Sequence, residues 1–123
     1  NRKINMKREI YNAIKFCMEN GIKVRISKKV LALWKVYDIM TIAQEKNARE
    51  IHEKVPMFNS VEVDALSTAL LVNDMFKNGV DIEVIKTYLN YYSEYDADTI
   101  ENINLKWVQG FIDFFAEKAK KIH

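Results

Sequence analysis

With 123 residues, 49% hydrophobic and 29% charged, the chain has the length and composition of one globular domain, expected to span 1–123. Three glycines and one proline are too few for the many tight reversals of a β-sandwich or barrel, so an all-α fold is expected. The net charge of +2 is too small to argue for nucleic acid by itself, and no run approaches the 18 apolar residues of a membrane span.

In chain order, apolar residues recur at helical spacing from Ile4 through Tyr11, Ile14 and Met18, with Ile10 and Cys17 widening the stripe. Asn20-Gly21 supplies a left-handed stop. Residues 22–26 alternate apolar and basic side chains and read as a short extended piece, after which Ser27 offers its hydroxyl as an N-cap. A second helix is predicted over 28–54, its later half more solvated because Gln44 and Asn47 sit on the apolar seam. Pro56 marks a loop, and Ser60 is expected to cap a third helix that is apolar nearly all round and therefore central.

Asn78-Gly79 ends that helix, and Asp81 should cap a fourth over 82–93. Asp98 with Glu101 resembles a reciprocal capping pair, which opens a fifth helix predicted over 99–120. Two stripes run along it: Ile100, Ile103, Trp107, Phe111 and Phe114 on one face, and Leu105, Val108, Ile112, Phe115 and Ala119 on the next. A compact bundle of about five helices follows, without internal repeats or a flexible linker.

Most routes to chemistry lack their residues. Two histidines and one cysteine are available, and His52 lies in a charged helix end with no nucleophile near it in sequence, which favours a solvated surface histidine. His123 is terminal. Cys17 falls on an apolar stripe and is expected to be a buried structural thiol. Glu-x-x-His, zinc spacings and phosphate-binding glycine loops are all missing from the sequence. Asp96, Asp98 and Glu101 lack the glycine that shapes a calcium loop, and capping accounts for them. No metal, cofactor, small-molecule substrate or catalytic residue is expected.

Charge is uneven along the chain, with 13 Lys+Arg against 6 Asp+Glu over 1–54 and 6 against 11 over 55–123. Lys23, Arg25, Lys28, Lys29 and Lys35 form an acid-free stretch with Trp34 among them, a pattern able to hold backbone phosphates and stack a base. Ordinary surface solvation explains it as well, with Trp34 turned inward. A second surface is tyrosine-rich and acidic: Tyr92 is expected in the core with Ile85 and Leu89, leaving Tyr88, Tyr91 and Tyr95 to line a face suited to a protein partner or, equally, to pack against the fifth helix. Gly110, in mid-helix, suggests close approach of another helix, in the first place one of the same chain, and with Phe111 and Phe115 it forms the candidate contact surface should a stripe of this helix meet a protein partner instead.

The reading that follows is a non-enzymatic protein-interaction module, a small subunit, adaptor or inhibitor, with a protein partner or self-association. Nucleic-acid binding through Lys23 to Lys35 is the alternative. One unpaired cysteine and the absence of a signal-peptide core over 1–9 point to the cytoplasm. The abundance of Ile, Lys and Asn, 40 residues together, fits a low-GC genome.

Overall fold

The computed structural model describes residues 6–122, which hold six helices and no strand. Ile4 and His123 lie outside the described residues. The first helix, α1 (Arg8–Glu19), ends where Gly21 takes a φ of 68°, and the amides of Gly21 and Ile22 reach back to the carbonyls of Met18 and Cys17. This Schellman closure satisfies end carbonyls that would otherwise be orphaned. Gly79, with φ 73°, closes α3 (Ser60–Lys77) in the same way, its amide and that of Val80 bonding the carbonyls of Phe76 and Met75.

Between these stops runs α2 (Lys28–Lys54), capped by Ser27, whose hydroxyl accepts the Val30 amide at 3.1 Å. The segment before it holds the expected alternation, Val24 and Ile26 half-buried and Lys23 and Arg25 exposed, but it pairs with no strand. At the start of α3 the cap is Asn59 and not Ser60. Asn59 accepts the Glu62 amide at 2.8 Å, and the Glu62 carboxylate accepts the Asn59 amide at 3.0 Å. Glu62 stands three residues after Asn59, the spacing a reciprocal cap requires, and only two after Ser60.

Asp81 caps α4 (Ile82–Tyr92) as expected. The long final helix divides into α5 (Ala97–Glu101) and α6 (Leu105–Ile122). Asp96, not Asp98, starts α5 by accepting the Thr99 amide at 2.8 Å. The break comes at Asn102 to Asn104, where side-chain amides bond local carbonyls and the Asn104 side-chain oxygen Oδ1 accepts the Trp107 amide at 2.8 Å. Asparagine competes in this way with the backbone's own helical bonds.

Helix α3 packs chiefly against α2 on one side and α6 on the other. It is not apolar all round: Ser67 and Thr68 are among its buried residues, and Val61 is exposed. The larger core joins Tyr11, Trp34, Tyr37, Met40, Val72, Ile85, Tyr88, Leu89 and Val108, while a smaller one gathers Ile51, Phe58, Val63 and Phe115 under the far ends of α2 and α6. Among the described residues no helix is long and apolar enough to cross a membrane.

Candidate functional site

The exposed face of α6 is built from its buried face outward. Val108 and Phe115 are buried and anchor the helix, Phe115 edge-on to Phe58 at 5.7 Å. Lys118 of α6 pairs with Glu62 in the first turn of α3, which holds the carboxyl of Glu62 below its ordinary range and fixes the lower half of α6. The upper half is fixed by Tyr95, whose hydroxyl donates to the Ala65 carbonyl at 2.8 Å and whose ring meets Trp107 and Phe111 edge-on at 5.9 and 6.0 Å.

A row of rings then climbs the rim of α6. Trp107 stacks on Phe111 at 5.0 Å, Phe111 meets Phe115 at 5.0 Å, and Phe114 meets Phe115 at 5.5 Å. Trp107 and Phe111 are half-buried, and Phe114 is 63% exposed. Between them sits Gly110, exposed and helical, with no positive φ to demand glycine. A Cβ built on it meets no atom within 4 Å. Together with Asn104, Lys106, Trp107 and Phe111 it borders an open hollow of about 440 Å³. The expectation of an intramolecular neighbour at Gly110 is therefore corrected: among the described residues no other helix comes close there.

The tyrosine face is corrected too. Tyr88 is 1% exposed, stacked between Tyr92 at 5.0 Å and Tyr37 at 6.1 Å, and burial pushes its hydroxyl up to about 12. It belongs to the inward stripe of α4, three residues after Ile85, and so joins the core that was expected to hold Tyr92 alone. Tyr92 is half-buried and donates its hydroxyl to the Met6 carbonyl at 3.2 Å. Tyr91 and Tyr95 are half-buried, Tyr95 facing α6. Phe115, expected at the contact surface, is a core residue that carries the exposed Phe114 on its edge.

Along the basic stretch, Lys23, Arg25, Lys28, Lys29 and Lys35 are all exposed. Trp34 is not available to stack on a base: it is 8% exposed, lies over Tyr11 at 5.7 Å and donates its indole N–H to the Tyr11 carbonyl at 3.1 Å. A further apolar strip sequence reading passed over, Val36, Ile39 and Ile42, faces outward from α2 with exposed Lys35 and Lys46 at its two ends.

His52 is exposed and shares an open groove of about 420 Å³ with Ser60 and Asp64. It makes no hydrogen bond to either; Asp64 instead accepts from Gln44 Nε2 at 3.3 Å. Burial first, and then the nearby Glu94, raise the carboxyl of Asp64 above its ordinary range. Cys17 is half-buried on α1 rather than enclosed in the core. Asp96 is occupied in capping, and Glu101 lies 3.7 Å from Lys86. Among the described residues no three His, Cys, Asp or Glu side chains gather as a metal would need.

Compared with protein-family models, with curated proteins and with solved structures, the chain matches none.

Proposed function

We propose that this chain is a non-enzymatic protein-interaction module that works by contact through the outer face of α6, with Trp107, Gly110, Phe111 and Phe114 as the contact residues. The observation that carries the reading is Gly110. A glycine inside a helix costs about 0.5–1 kcal/mol relative to alanine. Neither its backbone conformation nor a neighbour among the described residues gives a reason for it. Close approach of another molecule does, and the aromatic side chains beside it are of the kind enriched at the centres of protein interfaces. The half-buried, unpaired Cys17 fits work in a reducing compartment such as the cytoplasm.

The test compares wild type with Phe114→Asp and, as a surface control, Ile39→Asp. Light scattering gives the mass of each, and each is used as bait for a source lysate. A defined oligomer or a defined partner, kept by the control and lost from Phe114→Asp, is the expected result. A strict monomer that retains nothing specific, or binding indifferent to Phe114, rules the reading out.

A second reading, phosphate contact through the basic stretch, is favoured by one observation. Lys28 and Lys29 occupy the first turn of α2, which contains no acid, so they sit at the positive end of the helix dipole. An anion there relieves the repulsion. With Trp34 inside, the contacts would be to phosphates and not to bases. Lys28→Glu with Lys29→Glu should then weaken binding to a mixed-sequence duplex and flatten its salt dependence, each lost phosphate contact lowering the slope by about 0.9. Unchanged affinity removes this reading.

A further inference from the structure

Resting on the contact reading of α6, we infer that the partner is a second copy of this chain, with the two α6 helices packed antiparallel about a two-fold axis so that Phe114 of each enters the hollow at Gly110 of the other. Trp107, Gly110, Phe114 and Glu117 follow one another at spacings of three and four, so they form a single seam along the helix. A two-fold axis midway between 110 and 114 sets the exposed ring of one chain opposite the missing side chain of the other, twice over. The same axis brings Glu117 across from the Trp107 ring, and its carboxylate is a fitting acceptor for an indole N–H.

Charge supports the antiparallel sense. Exposed Lys120 and Lys121 close the last turn of α6, while Asp96, Asp98 and Glu101 lie just before its start. Antiparallel packing brings the basic end of each helix toward the acidic approach to the other, whereas parallel packing sets like against like. The outward strip of α2 has no such fit: Val36, Ile39 and Ile42 are bounded at the ends by Lys35 and Lys46, and α2 holds no glycine for a ring to enter. A contact confined to one helix face is small, so the dimer is expected to dissociate on dilution through the micromolar range.

The experiment uses four proteins in a Cys17→Ser background: the parent, Gly110→Leu, Gly110→Cys and Phe114→Cys. The mass of the parent is followed by analytical ultracentrifugation up to about 200 µM. The two cysteine variants are then mixed and oxidised gently. In the mixed dimer Cys at 110 faces Cys at 114 while the other Phe114–Gly110 contact is kept, so a disulfide forms at the short Cα separation such bonds require. Expected are a monomer–dimer equilibrium for the parent, weakened about tenfold or more by Gly110→Leu and weakened by added salt, and rapid cross-linking of the mixture compared with either variant alone. A monomer at the highest concentration, or a dimer that cross-links equally in all combinations and ignores Gly110→Leu, overturns the pairing. If the protein is monomeric yet another protein is retained through Phe114, the pairing fails and the contact reading stands. If nothing depends on Phe114, both fail.

Discussion

Phe114 and Phe115 are adjacent in sequence, one exposed and the other buried, and their substitution separates surface from core. Phe115 is buried against Phe58 and Phe111, so Phe115→Ala should cost about 3–5 kcal/mol of unfolding free energy in a denaturant titration. Phe114 is mostly in solvent, and Phe114→Ala should change the dilute monomer by no more than about 0.5 kcal/mol. Equal losses would contradict the placement of both rings. Asp64 gives a second residue-scale expectation. Its folded pKa is raised, so the stability it contributes is fully present below its unfolded pKa, near 4, and is lost as pH rises through the folded value. Asp64→Asn should therefore be more stable than wild type at neutral pH, and the difference should shrink as pH falls from neutral toward about 4. A constant difference across that range would show that the carboxyl's ionisation is not the cause.

At the scale of the element, the caps decide where helices begin. Asn59→Ala removes the side-chain acceptor of the reciprocal cap on α3 and should cost about 1 kcal/mol, while Ser60→Ala should be nearly silent. Helix existence could be read from periodicity alone, and the Asn-Gly stops and the Ser27 and Asp81 caps followed from local chemistry that acts within a few residues. The division of α5 from α6 was hidden for a physical reason. Ile100 and Ile103 keep the helical spacing of the residues that follow, yet Asn102 and Asn104 hold their bonds locally and restart the helix. A pattern of apolar residues records which side faces the core, and it is blind to an interruption that preserves the phase. The tyrosines of α4 misled in the related way: Tyr88 and Tyr92 lie on one stripe with Ile85 and Leu89, and spacing does not say how far round the helix the core extends.

Across the whole molecule, α3 supports α2 and α6, and a ladder of tyrosines fills the space between α1, α2 and α4. Tyr11, Tyr88, Tyr92 and Tyr95 all have hydroxyls raised above the ordinary range, with burial the largest cause. Each favours the fold fully below the unfolded value near 10, and that contribution is lost as pH rises through the folded values. Stability should accordingly fall from about pH 10 upward, with tyrosinate absorbance and helix loss rising together; independent titration of the tyrosines in an intact helical protein would contradict this. Of the proposed contact surface, Gly110 could be picked out in the sequence as an anomaly of a helix. The emptiness beside Gly110 could not, because whether a glycine makes room for a helix of its own chain or of another depends on how the remote elements pack.

That emptiness is also where the account is most directly tested, by measuring unfolding free energy and self-association on the same Gly110→Ala protein. In a helix with open space around the site, alanine should stabilise the dilute monomer by about 0.5–1 kcal/mol. The added methyl stands where a partner's ring must come, so the dissociation constant should rise. Opposite movement of the two quantities is the predicted result. A variant that is more stable and associates as well as wild type would contradict the claim that this face of α6 is made for contact.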